Sequence, residues 1–180
     1  MNVVFIGMKH CGKSTHGRRL ATALGWDFLD TDEVLQDIYC QRHRTRLGVR
    51  EIFLQVGEDG FRRLEEEVMD VLLALDGDRV VAMGGRMPVN EEIQQRIHAL
   101  GLVVYLQLPA AVLFERVRRG GIPPFLDPER PRESFDVLYR RREPYYCRCA
   151  DLIIALDDLP AAQAATIIES RIREAMDHAR

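Results

Sequence analysis

Residues 7–14 read GMKHCGKS, placing two glycines, a lysine and a serine at fixed intervals. These types in this spacing suit an anion that presents several oxygens. Gly7 and Gly12 let the backbone turn so that successive N–H groups point inward. Lys13 adds a compact positive charge and Ser14 a hydroxyl suited to a divalent cation, with Thr15 beside it. A helix beginning here contributes free amides and the positive end of its dipole. The pattern is that of a triphosphate cradle, and its context is right: an apolar strand before it and a helical pattern after it. Cys11 lies inside the same nest of donors, where a thiolate is favoured if exposed. It is counted with Gly7, Gly12, Lys13, Ser14 and Thr15 among the expected nucleotide contacts. ATP and Mg2+ are the expected ligands. Lys9 and Lys13 are the only lysines among 25 basic residues, so Lys13 stands out in a chain that otherwise uses arginine.

Other residues have the chemistry to act beside such a cradle. Asp30 and Asp32 lie two apart where a strand ends, the side on which doubly wound sheets bind ligands. The lesser alternative is that Thr31 or Asp32 simply caps a helix over 33–39, a role that can coexist with catalysis. Gly84-Gly85 follows an apolar strand and either admits close backbone approach or makes an ordinary turn. Arg62-Arg63 by themselves describe a solvated helix face, although Glu58 and Glu65 are placed to orient Arg62 from neighbouring turns. Arg116, Arg118 and Arg119, and later Arg140, Arg141 and Arg142, are cations able to close on a transferring phosphoryl group. The sequence has no Asn-Lys pair, which argues against a GTPase.

The elements that must position these residues alternate. Short aliphatic runs at 3–6, 27–29, 79–83, 102–108 and 151–156 predict strands. Helical patterns fall at 13–24, 58–75, 90–100, 110–118, 132–142 and 161–178, the fifth ending before Pro144. Gly25 and Gly101 stand where left-handed helix caps belong. This alternation predicts an α/β fold with a mostly parallel sheet and helices on both faces. Two stretches interrupt it. Residues 41–51 are charged, and residues 118–132 carry four prolines and read as a loop or flap.

A chain of 180 residues fits a single domain, and its net charge of −3 gives no reason to expect nucleic acid or an acidic membrane as partner. No apolar run approaches the ~18 residues of a membrane span, and a cytoplasmic protein is expected. Cys11, Cys40, Cys147 and Cys149 form neither a disulfide framework nor the paired spacing of a zinc site.

Four segments resemble the shikimate kinase family, in order along nearly the whole chain: GKSTHGRRLATALGWDFLDTDEVL, IFLQVGEDGFRRLEEEV, VVAMGGR and RRREPYYCRCADLII. The resemblance implies a three-layer sandwich of the P-loop NTPase type around five parallel strands. It implies one kinase domain over 1–180, with a helical substrate-binding region at about 33–62 and a lid at about 116–132. Lys13 and Arg142 would assist catalysis, Ser14 would offer its hydroxyl to Mg2+, and Asp30 would help hold that ion through water. Asp32 would contact the acceptor hydroxyls and take a proton. Arg62 would grip a carboxylate, with Gly84, Gly85 and Arg142 also at the acceptor, and residues 157–160 would lie where the adenine packs. Two positions depart from the family pattern. Arg86 replaces the third glycine of a Gly-Gly-Gly turn, and residues 123–126 read PPFL where the lid arginine is expected. Arg118, Arg119 or Arg86 could replace that arginine. The expected reaction is ATP-dependent phosphorylation of a hydroxyl on a small carboxylate-bearing metabolite, shikimate first, by a monomer. The alternatives are a related kinase with a different acceptor, Arg86 reading an additional polar or anionic group, or a catalytically weak nucleotide-binding module.

Overall fold

Val3, Val4, Phe5 and Ile6 point to alternate faces of one strand, yet all four are fully buried. A strand buried on both sides must have a layer packed on each face. The computed structural model, which describes residues 2–123, 126–157 and 159–178, has that arrangement. Strands β1 (Asn2–Ile6), β2 (Asp27–Asp30), β3 (Arg79–Ala82), β4 (Gly101–Gln107) and β5 (Leu152–Ala155) form one sheet. Their order is β2-β3-β1-β4-β5, and all neighbouring pairs are parallel. The edge strands β2 and β5 are correspondingly less buried than β1.

The helices are α1 (Lys13–Leu24), α2 (Thr31–His43), α3 (Val49–Ala74), α4 (Glu91–Arg96), α5 (Ala110–Arg119), α6 (Pro131–Cys149) and α7 (Ala161–His178). Helix α1 packs on β1, β2 and β3, α7 on α1 and β5, and α6 on β4, giving a three-layer sandwich. Both ends of α1 fall where expected, between the left-handed residues Gly12 and Gly25. Among the described residues no helix is long and apolar enough to cross a membrane.

Several boundaries differ from expectation. Helix α6 does not stop before Pro144 but continues to Cys149. Proline removes one intrahelical N–H bond, and the turn after it buries Tyr146 and Cys149, which offsets that loss. Gly101 is not a helix cap. It opens β4 with φ 148, and a Cβ there would lie 2.2 Å from Asn2 O. The charged interruption at 41–51 shrinks to 44–48, because α2 runs on to His43 and α3 begins at Val49. The early turns of α3 hold because Glu51 accepts the Gly48 N–H at 2.8 Å and Ile52 is fully buried. Gly57 (φ 68, ψ −173) breaks α3, and Glu58 is the first residue beyond the kink. The pattern at 90–100 becomes α4 followed by a 3-10 turn at Ile97–Ala99. Of the proline-rich stretch only 120–130 lies between helices; Pro124 and Phe125 fall outside the described residues, as does Asp158.

Gly101→Ala should destabilise the fold by roughly 2–5 kcal/mol, through backbone strain and the collision with β1. Urea denaturation would measure this; a change under 0.5 kcal/mol would show that β1 and β4 tolerate separation at their starts.

Candidate active site

The parallel register brings the C-terminal ends of β1, β2 and β3 to one level. Phe5 pairs with Ala82 and Ala82 with Asp30, so two residues onward Gly7, Gly84 and Asp32 emerge side by side. The turn after β1 leads into α1, whose N-cap Gly12 provides no side chain to satisfy the first amides. Free amides at a helix start are suited to receive an anion. The Lys13 ammonium folds back over the loop and donates to Gly7 O and Met8 O, each at 3.0 Å. Cys11 is fully buried within the loop, its Sγ 3.9 Å from the Lys13 ammonium.

Ser14 Oγ donates to Asp30 Oδ2 at 2.6 Å, tying α1 to the end of β2. Asp30 Oδ1 accepts the Asp32 N–H at 3.1 Å, so Asp30 caps α2, in place of the Thr31 or Asp32 expected. Thr31 is buried instead, and its Oγ1 accepts the Gly84 N–H at 2.8 Å. These contacts fix the Asp32 carboxylate against Gly84, where a Cβ would stand 2.9 Å from Oδ1. Asp32 is solvent-accessible along one side, but the protein surrounding the rest of it desolvates the carboxylate. Its pKa is raised by that burial and then by Asp30, against the opposing charges of Lys13 and Lys9.

The second half of α3 supplies the opposite wall. Glu65, only 2% exposed, is buried among Arg86, Asp32, Arg142 and Arg62, and its pKa is pushed up to about 7, chiefly by burial. The three guanidiniums partly counter that rise. This one carboxylate therefore marks where Arg62, Arg86 and Arg142 converge beside Asp32. Arg62 is 53% exposed, with Nη2 3.9 Å from Glu58 Oε1. Arg86 turns toward α3 and pairs with the same Glu58 oxygen at 2.8 Å. Gly85 is held by Tyr146, whose hydroxyl donates to Gly85 O at 2.6 Å. Arg142 lies beside that hydroxyl, which burial shifts to a higher pKa. Tyr146 was legible only as a letter of the late motif; nothing in the sequence pattern indicated that it anchors the turn after β3.

The lid-flanking arginines divide. Arg118 lies along α5, bound to Glu115 at 2.8 Å, and Arg119 is exposed. Arg116 instead reaches the phosphate loop and donates to His10 O at 3.4 Å. His10 has its pKa lowered by burial and by Lys9, Lys13 and Arg116, a measure of how positive the loop's mouth is. Beyond Gly12 and Thr15 the loop opens into a cavity of about 330 Å³ with Leu108, Leu156 and Leu159 among its walls. Its other walls include His10, His16, Arg116 and Asp157, so it takes in residues of the 157–160 segment. A larger cleft of about 460 Å³ between α1 and α7 is lined by Arg18, Arg19 and Glu169 and contains neither Lys13 nor the aspartates.

A strand-to-helix phosphate loop on a doubly wound parallel sheet, with two aspartates and converging arginines at the strand ends, defines a P-loop phosphotransferase acting on an alcohol group. The shikimate kinase family model matches residues 9–173. The chain is 34% identical to the shikimate kinase of Actinobacillus pleuropneumoniae serotype 5b, covering 98% of this chain and 96% of that protein. It is 35% identical to the shikimate kinase of Rhizobium meliloti, covering 98% and 86% respectively. Among solved structures it superimposes on the shikimate kinase of Acinetobacter baumannii in complex with shikimate, with TM-score 0.83 and 28% identity over 99% of this chain and 94% of that one. The chain belongs to the shikimate kinase family.

Glu65 gives a pH dependence with a definite sign. The folded protein keeps this proton up to about pH 7, whereas an unfolded carboxyl of pKa 4.5 has released it. Stability present below pH 4.5 is therefore lost as pH rises through 7, by about 3 kcal/mol in total. Glu65→Gln should remove that slope, so urea denaturation at pH 5 to 8 should show the two proteins diverging as pH increases. Parallel stability curves would mean that the carboxyl titrates normally.

Proposed function

We propose that this chain transfers the γ-phosphoryl group of ATP to a hydroxyl of shikimate, acting in the cytoplasm as a monomer. The observation that carries this reading is the shared level of Gly7, Asp32 and Gly84 at three strand ends, with Arg62 and Arg142 facing them. It supports a reading in which a triphosphate cradle stands beside Asp32 as base and beside Arg62 and Arg142 as carboxylate-binding guanidiniums. The likeness to a shikimate kinase solved with shikimate supports the choice of acceptor.

The loop amides and Lys13 bind the β- and γ-phosphates, with the ammonium turning from the Gly7 and Met8 carbonyls toward phosphate oxygens. Ser14 Oγ and Asp30, 2.6 Å apart, are hard oxygen donors that fit Mg2+. Among the described residues no cluster of three or more His, Cys, Asp or Glu could hold a metal. An ion held here would take its remaining ligands from phosphate and water. When bound, Mg2+ neutralises charge on the transferring phosphoryl oxygens.

Arg62 and Arg142 receive the acceptor carboxylate, for which a guanidinium fork is the apt geometry. Asp32 accepts the hydroxyl proton as the acceptor oxygen bonds to the γ-phosphorus and the bond to the β–γ bridging oxygen breaks, releasing ADP. Burial and the neighbouring Asp30 raise its pKa, which makes Asp32 a better proton acceptor than an ordinary aspartate. Arg116, already on the loop, is better placed than Arg118 or Arg119 to approach the triphosphate from the lid side.

Purified protein supplied with Mg·ATP and shikimate should release ADP in step with phosphorylated product. Lys13→Ala should lower kcat by roughly a thousandfold or more, as expected for a group that stabilises the transferring phosphoryl charge. Turnover confined to a different hydroxy acid would replace shikimate as acceptor. ATP binding with no turnover on any acceptor would sink the kinase reading. Arg62→Ala should raise the acceptor KM by roughly 10- to 150-fold with little change in the KM for ATP. Equal effects on both constants would place Arg62 outside the acceptor pocket.

A further inference from the structure

Glu58 stands four residues before Arg62 on α3, the orientation in which a helical acid–base pair forms most readily. Such a pair would occupy the guanidinium that the acceptor carboxylate needs. That pair is long: Arg62 Nη2 stays 3.9 Å from Glu58 Oε1, while Arg86 Nη2 holds the same oxygen at 2.8 Å. Arg86 is also fixed in place. Its guanidinium carbon lies 5.1 Å from the Phe53 ring centre and 5.9 Å from that of Phe61. Those rings pack edge to face, one on each side of the Gly57 kink. With its side chain only 29% exposed and its fork engaged with Glu58, Arg86 turns toward α3.

We infer that Arg86 is a positioning residue: it captures Glu58 across the kink of α3 and so leaves Arg62 open to the acceptor carboxylate. The inference rests on the acceptor reading above and adds to it a residue that acts through another. It assigns a purpose to the replacement of a turn glycine by arginine. A glycine at 86 would leave Glu58 facing only its own helix neighbour. Arg86 supplies a competing cation from β3's turn, which Tyr146 holds rigidly through Gly85. An additional anion on the acceptor is not needed to explain Arg86, because its charge already has a partner.

The test uses steady-state kinetics of the full chain with Mg·ATP and shikimate. Arg86→Met keeps an apolar stem against Phe53 and Phe61 and removes the charge. It should raise the acceptor KM roughly fivefold, the range of an exposed ion pair that the acceptor must now displace, with kcat and the KM for ATP little changed. Adding Glu58→Gln to that variant should return the acceptor KM to within about twofold of wild type, since a neutral side chain no longer masks Arg62. If Arg86 instead touches the acceptor, its loss should raise KM by roughly 10- to 150-fold, and Glu58→Gln should not restore it. That outcome overturns the inference, as does an unchanged KM in Arg86→Met. Should Arg86→Met not fold, Arg86→Lys with and without Glu58→Gln gives the same comparison, lysine pairing less well than the planar fork. A wild-type chain inactive on shikimate would overturn the acceptor reading and this inference with it. An active wild type with unrescued variants overturns this inference alone.

Discussion

The site depends on a register. Three parallel strands must end at the same height for Gly7, Asp32 and Gly84 to meet, and the ladder β2-β3-β1 sets that height by the pairs Phe5–Ala82 and Ala82–Asp30. A slip of one residue would turn each strand's side chains to the other face. It would also part Ser14 from Asp30 and Thr31 from Gly84, the two short bonds that join the strand ends. Val3 to Ile6 are buried on both faces, and burial of that kind penalises a slip on both sides of the sheet. The precision of the polar site thus comes from an apolar cause.

Above that frame the electrostatics are asymmetric. The phosphate side gathers Lys9, Lys13 and Arg116 around His10, whose proton they help to drive off. The opposite side gathers three arginines around Glu65, which stays partly protonated near pH 7. Both sides present excess positive charge, as a site for two anionic substrates requires. Asp32 stands between them, its pKa raised by burial and by Asp30 and lowered again by the lysines. Protonating Glu65 near neutrality removes a negative charge that would otherwise compete with the acceptor for the guanidiniums. Burial of one carboxyl therefore strengthens the positive field the acceptor meets.

Sequence made the parts with local causes legible. Helix α1 is bounded by Gly12 and Gly25, both in left-handed conformations, and both ends were readable from glycine chemistry alone. The five strands fell within a residue or two of their predicted places because their apolar runs are short and well separated. Where burial from a distant segment decided the outcome, local signals misled. Pro144 argued for a helix end, yet Tyr146 and Cys149 carry α6 onward because their packing against the sheet outweighs one lost bond. Gly101 looked like a cap, but what requires it is the backbone of Asn2, a hundred residues away in the chain. Asp30 and Asp32 stood out by their place at a strand end, whereas Arg62 and Arg142 stood out only through the family resemblance. The anchoring by Tyr146, the reach of Arg116 to His10 and the grip of Arg86 on Glu58 depend on side-chain directions that spacing does not encode.

The kink at Gly57 divides α3 by the kind of interaction on each side. Before it, Ile52 is buried and Tyr39 of α2 donates to Gln55 Oε1 at 2.5 Å, so this half belongs with α2. After it, Phe61, Leu64, Val68, Met69 and Leu72 are buried in the main core. A straight helix could not satisfy both, since its apolar stripe would follow one direction throughout. Glycine admits the change of direction at φ 68 without a side-chain penalty, but it also leaves the joint loosely determined. Arg86, touching Phe53 on one side and Glu58 and Phe61 on the other, adds the constraint that glycine alone does not provide. The arginine that frees Arg62 is thus also the contact that fixes the angle between the two halves of the helix bearing it, so binding geometry and local rigidity share one side chain.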